Sequence, residues 1–210
     1  MTEPLKQLSW YRDLKKAAGR RESGCFAVEG ERAIRQAMTA APGAVIELLA
    51  AGEVPADLAG YPVRELTEKQ FKSASSSVTP QGLLAVVNLP EDHDTAALPD
   101  ELGERLLLLE SIQDPGNVGT LVRTAAAFGY DGIIMSRDCA DPFSPKAVQA
   151  AAGTVLSPTF VASDAALSLF TGGSTLTSGL AWDCVAPTSG SSAPGTRAIR
   201  KPSEIGAPAP

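Results

Sequence analysis

Histidine and cysteine are scarce in these 210 residues, and each scarcity removes a class of chemistry. The single histidine, His93, lies in an acidic run, which argues against histidine-based acid–base catalysis. Cys25, Cys139 and Cys184 are odd in number and far apart, with no Cys-x-x-Cys pair, so neither a disulfide framework nor a zinc site is supported and free thiols are expected. No apolar run approaches the roughly 20 residues needed to cross a bilayer. The N-terminal stretch around Lys6, Arg12, Lys15 and Lys16 lacks the apolar core of a signal peptide, which predicts a cytoplasmic protein. Positive charge is also short: a formal net charge of -6 argues against a nucleic-acid binder of the histone kind.

Charge is nevertheless sorted along the chain. Lys6, Arg12, Lys15, Lys16, Arg20, Arg21, Arg32 and Arg35 crowd the first stretch, whereas Glu91, Asp92, Asp94, Asp100, Glu101 and Glu104 make the middle acidic. A basic arm is commonly a solvated face, and contact with an RNA backbone is the alternative. At 44% hydrophobic the chain has material for a core, in one large domain or two small ones.

Periodicity predicts a short basic helix over 5–18, a strand in "SGCFAVEG" and a helix in "GERAIRQAMTA". A strand follows over 45–51, then a helix over 67–74 capped by Thr67, and a buried strand over 81–90 ended by Pro90. Glu29 is expected to cap the helix after it, with RNA contact as the alternative, and "TPQG" over 79–82 is expected as a tight turn. A linker rich in Asp, Pro and Ala leads to "RLLLLESI", whose lack of alternation fits a parallel strand covered on both faces. The order continues with an elbow, a helix in "VGTLVRTAAAFG", a strand in "GIIMSR" and a helix in "KAVQAAAGTV". This βαβα order predicts a parallel crossover. From 167 to 210 Gly, Ser, Thr, Pro and Ala dominate, a composition expected to be loop or disorder, with one short strand possible in "TLTSGLAW".

The elbow Gln113-Asp114-Pro115-Gly116-Asn117 sits at the carboxyl end of the leucine strand, the edge where open parallel sheets place ligands. Asn117 is suited to cap the following helix, and Asp114 to cap or brace the elbow. Arg123 lies on a helix otherwise made of small and apolar residues, so its guanidinium must snorkel out, form a structural ion pair or meet an anion.

"LLLLESIQDPGNVGTLVRTAAAFGYDGIIMS" resembles motif 1 of the SpoU-type RNA 2'-O-ribose methyltransferases of the SPOUT superfamily. That pattern is a Leu-rich strand, Asp-Pro-x-Asn-x-Gly, then Arg-Thr-Ala and Phe-Gly. The similarity continues through "CADPFSPKAVQAAAGTV", and "FAVEGERAIRQAM" with "SSSVTPQGLLAVV" is similar to the family's N-terminal substrate-binding domain. The resemblance implies an α/β protein in which a small N-terminal RNA-binding domain over 1–89 and a linker over 90–102 precede a parallel-sheet SPOUT domain, of which 103–166 is the N-terminal part. It implies transfer of a methyl group from S-adenosylmethionine to a ribose 2'-hydroxyl of rRNA or tRNA. Asn117 and Arg123 would lie beside the target ribose as the catalytic pair. Guanidinium groups keep their protons in proteins, so Arg123 would hold a phosphate and stabilise a developing alkoxide. Arg12, Lys15, Lys16, Arg20 and Arg21 are the candidate RNA-binding face; Lys146, at a helix start, is expected to be solvent-exposed, with contact to an RNA backbone as the alternative.

The pattern then departs from the family. Its C-terminal trefoil knot rests on two further motifs, each with an asparagine, and no asparagine follows Asn117. The resemblance thus implies a SPOUT domain without its knot segment, with most of the adenosine pocket missing and family-type homodimerisation in doubt. A frameshift or truncation is the favoured explanation. A non-catalytic RNA-binding protein of the same ancestry, and a metabolite-binding α/β protein with no RNA partner, are the alternatives.

Overall fold

The computed structural model describes residues 6–90 and 105–157 in full, and of the rest the backbone strands 159–162, 183–185 and 196–200. His93, the acidic linker and "TLTSGLAW" lie outside the described residues. None of the helices described is long and apolar enough to cross a membrane.

Contacts divide the chain into two compact units that do not follow chain order: 1–90 with 115–123 and 141–157, and 91–114 with 124–140 and 158–210. The first unit opens with two helices, α1 (Leu8–Asp13) and α2 (Ala17–Ser23), where periodicity suggested one. A four-stranded sheet follows, built from β1 (Cys25–Glu29), β2 (Val45–Ala50), β3 (Val63–Glu65) and β4 (Leu83–Asn88) in the order β1-β4-β2-β3. β4 is antiparallel to both neighbours, and β2 and β3 are parallel. Leu83 to Val87 of β4 are all buried, as a central strand covered on both faces requires.

Side-chain alternation sorts the two faces. Cys25, Leu49, Leu84 and Val86 join Tyr11 and Leu14 of the N-terminal segment and Phe71 and Ala74 of α4 (Glu68–Ala74) in one core cluster. The neighbouring position on β1, Phe26, meets Phe143 with ring centroids 5.1 Å apart. The helix α3 (Glu31–Ala40) buries Ile34 and Ala37. α4 begins with the expected Thr67 cap, reinforced by a reciprocal bond from the Gln70 side chain, which satisfies two otherwise orphaned donors.

The second sheet contains β5 (Arg105–Leu109), β6 (Gly132–Met135), β7 (Thr159–Ala162), β8 (Asp183–Val185) and β9 (Thr196–Arg200), in the order β7-β6-β5-β9-β8. β5, β6 and β7 run parallel, as the βαβα reading requires for its first crossover. β9 lies antiparallel to β5, and β8 antiparallel to β9. The stretch assigned by composition to loop therefore contributes two strands, held by backbone pairing that does not depend on apolar periodicity. Between β5 and β6 runs α5 (Pro115–Ala127), and α6 (Pro145–Ala151) precedes β7.

Within the first unit α5 and α6 touch backbone to backbone. A Cβ added at Gly119 would lie 2.1 Å from the Ala147 carbonyl oxygen, so no residue with a side chain fits there without a shift.

Candidate functional site

α5 starts at Pro115, earlier than "VGTLVRTAAAFG" suggested, because proline needs no amide partner at the first helical position. Asn117 is consequently inside the first turn and not at the cap; Asp114 occupies the position before the helix. Val118, Val122 and Ala125 are buried, whereas Asn117, Thr120, Arg123 and Thr124 are exposed. With 3.6 residues per turn, these exposed positions fall within an arc of about 120°, and Asn117 and Arg123 mark its two margins about 9 Å apart along the axis. Arg123 makes no hydrogen bond or ion pair with any described residue, so the structural ion pair that the sequence left open is absent. An exposed guanidinium on such a face can receive an anionic ligand.

The exits of β5 and β6 are tied together in the second unit. The Ser111 amide donates to Ser136 Oγ at 2.9 Å, and Ser111 Oγ donates to Asp138 Oδ2 at 2.6 Å. Ser136 Oγ donates to the other carboxylate oxygen of Asp138. The Ile112 amide donates to Cys139 Sγ at 3.3 Å, and the Ala140 amide to the Ile112 carbonyl at 2.8 Å. Ser111 has φ +56°, a left-handed conformation that costs a residue other than glycine energy unless its surroundings impose it, as these bonds do. The hydroxyls of Ser111 and Ser136 hold the Asp138 carboxyl below the usual carboxylate range. Sequence reading missed this network because its members are small polar residues with no spacing signature.

The basic arm is only partly a surface. Arg12, Lys16 and Arg21 are exposed, Lys16 pairing with Asp13 at 2.9 Å. Arg20 is a correction: it is 4% exposed, donates to the Leu14 carbonyl at 2.9 Å and pairs with Asp141. Lys15 is half-buried and donates to the Ser73 carbonyl at 2.8 Å and to that of Ser75. Burial pushes its ammonium pKa down, with Glu29 opposing the shift. Arg20 and Lys15 therefore tie the N-terminal helices to the rest of the unit. Lys146 is exposed in the first turn of α6.

Glu29 does not cap α3, whose N-cap is Gly30 with no side-chain bond. Its carboxylate instead accepts from Ser75 Oγ at 2.8 Å. A cleft beside it is walled by β1, the loop after α4 and α6, all within the first unit, and Ser76, Gln81 and Gln149 stand on its rim.

Residues 104–169 match the SpoU rRNA Methylase family, and residues 6–85 match the MRM3-like substrate binding domain. The chain is 35% identical over 138 residues to the Bacillus subtilis 23S rRNA (guanosine(2553)-2'-O)-methyltransferase RlmP, a match covering 64% of this chain and 53% of that protein. It thus spans about half the length of that curated relative. A solved structure described as an RNA methyltransferase of the TrmH family from Porphyromonas gingivalis superposes with a TM-score of 0.63 at 32% identity, over 81% of this chain and 68% of that one. The AdoMet-bound rRNA methyltransferase from Sinorhizobium meliloti shares the fold at a TM-score of 0.65 and 24% identity, over 82% of this chain and 68% of that one.

Proposed function

Because the chain belongs to the SpoU rRNA methylase family, we propose that it binds structured RNA, ribosomal RNA first, and directs methylation of a ribose 2'-hydroxyl. The observation that carries this reading is Arg123: an exposed guanidinium with no partner among the described residues, on the helix that follows a central parallel strand in the chain. S-adenosylmethionine supplies an electrophilic sulfonium methyl group in this chemistry. The two later asparagine motifs have no counterpart after Asn117, so no residue of this chain is assigned to the adenosine.

The chain's own residues do the following. Asn117 orients the ribose through its amide, and Arg123 holds the adjoining phosphate in its planar fork. As the 2'-oxygen passes its proton to solvent water, the same guanidinium stabilises the growing negative charge. Positioning rather than proton abstraction is the contribution of Asn117 and Arg123 in this reading, while the bonds among Ser111, Ser136 and Asp138 fix the exit of β5 within the second unit. Arg12, Lys16 and Arg21 supply phosphate contacts that are not specific for sequence.

Tritium transfer from labelled S-adenosylmethionine to unmethylated ribosomal RNA tests the reading. Arg123→Ala should lower the rate by about 10²–10³-fold, the usual loss for one charge-stabilising donor, with the melting temperature unchanged because no bond to a described residue is lost. Retained activity in that variant would remove Arg123 from the chemistry. A chain that binds RNA but transfers no methyl group would instead support the second reading, a non-catalytic RNA-binding protein of the same ancestry.

A further inference from the structure

We propose that the cleft between β1, the loop after α4 and α6 is a base pocket for an unpaired guanine, with the Glu29 carboxylate accepting from the N1–H and N2–H donors of its edge. This rests on the RNA reading above and goes beyond it: the name of the Bacillus subtilis relative specifies a guanosine, but no residue that reads a base.

The cleft has the shape and lining of a site for a small planar ligand. Its cavity volume is about 60 Å³. At roughly 10–15 Å³ per water centre and about 30 Å³ of liquid per water, that is space for something of nucleobase size. The floor is apolar and firm: Leu84 and Val148 are each 2% exposed, with Ala27 and Pro145 beside them. The rim is polar. Ser76, Gln81 and Gln149 are exposed there, and their side chains make no hydrogen bond to any described residue. An apolar floor beneath a few convergent polar groups is the usual make-up of a small-ligand site.

The rim is also held in place. Ser75, 4% exposed, donates to Glu29 and accepts from the Ser77 amide at 3.0 Å, and Ser77 Oγ accepts from the Thr79 amide at 3.3 Å. Gly30, at φ +96°, lets the Gln81 side chain lie close: a Cβ there would be 2.8 Å from Gln81 Oε1. Position 30 favours glycine for its backbone, and the end of the Gln81 side chain lies over it.

The charge of the rim selects the ligand. A carboxylate repels phosphate, and the Lys15 ammonium, whose charge acts on Glu29, is spent on the carbonyls of Ser73 and Ser75. Each Glu29 oxygen has two lone-pair positions, so the Ser75 hydroxyl leaves acceptor capacity on both. Of the common bases, guanine alone presents two adjacent N–H donors on one edge, matching a carboxylate in parallel. Adenine and cytosine set an acceptor beside their amino group, and uracil flanks its single donor with acceptors, so each would turn a lone pair toward Glu29. Splayed, unpaired bases are what RNA-binding proteins read on that edge.

Fluorescence anisotropy with short labelled oligoribonucleotides tests the pocket, using uridine strands that carry a central guanosine, inosine or adenosine. The full chain should bind the guanosine strand roughly tenfold more tightly than the adenosine strand, with inosine, which lacks the N2 amino group, between them. Glu29→Gln should erase that preference while leaving affinity for the all-uridine strand unchanged. Ser76→Ala and Gln149→Ala, at exposed positions without intramolecular bonds, should each lower the preference, and they decide the matter if Glu29→Gln melts early. Equal affinity of the unaltered protein for all three strands overturns the pocket while leaving RNA binding in place. Failure to bind any strand, or structured ribosomal RNA, overturns the RNA reading and the pocket with it.

Discussion

The buried pair of Arg20 and Asp141 should be asymmetric in its cost of removal. Arg20 is 4% exposed at its side chain and Asp141 38%, so the two partners differ sharply in what water can do once the other is gone. Asp141→Asn keeps an oxygen for the Phe143 amide, now bonded at 2.8 Å, but leaves a guanidinium buried with only the Leu14 carbonyl and a neutral amide; its Nε already has no partner. Stranding a buried charge costs about 3–5 kcal/mol, and the partial exposure of Asp141 places this case at about 2–3 kcal/mol. Arg20→Met fills most of the same volume and strands a carboxylate that water can reach, so the loss is the bond to Leu14 and part of the pair, about 1–2 kcal/mol. Urea unfolding followed by circular dichroism gives both numbers, and the double variant should be more stable than Asp141→Asn alone. If Arg20→Met proves the more costly change, or if both lie within about 0.5 kcal/mol of the unaltered protein, desolvation of the guanidinium is not what sets the energetics here.

The depressed carboxyl of Asp138 gives a pH signature. Its folded value lies below the unfolded value of 3.8, so its contribution to stability is fully present above that value and fades as pH falls through the folded one. The stability gap between the protein and Asp138→Asn should be flat near neutrality and close in acid; a gap that widens in acid would contradict the assignment. For the basic arm, Arg12→Ala, Lys16→Ala and Arg21→Ala together should weaken RNA binding and flatten the logarithmic salt dependence by about 2 in slope, at roughly 0.7–0.9 per phosphate. Arg20→Met should leave that slope unchanged, since its charge faces Asp141; a flattened slope in Arg20→Met would return it to the RNA surface.

Local signals in the sequence were read well where the partner is near in the chain. Thr67 and Gln70 sit three residues apart and spell a capping box before any fold is known. The unbroken apolar run of β5 announced a covered parallel strand for the same reason. Glu29 shows the opposite case. A carboxylate just before a helix reads as a cap, but Ser75, 46 residues away, offers a hydroxyl that the packing of α4 against the sheet brings alongside. Arg20 fails in the same manner, since no pattern within the arm marks one of several arginines for a partner 121 residues distant.

The residues that fix the candidate site carry no chemistry of their own, which explains why motif reading found Asn117 and Arg123 and not their supports. Gly119 lies between them on α5 and allows that helix to meet α6 through backbone alone, a Cβ there falling 2.1 Å from the Ala147 carbonyl oxygen. With Val118 and Val122 buried on either side, the rotation of α5 about its axis is set, and Asn117 and Arg123 are turned outward as a consequence. The direction of a candidate side chain is thus set by the smallest residue beside it. A sequence presents that residue only as another glycine; the contact that requires it exists only once α6 has folded against it.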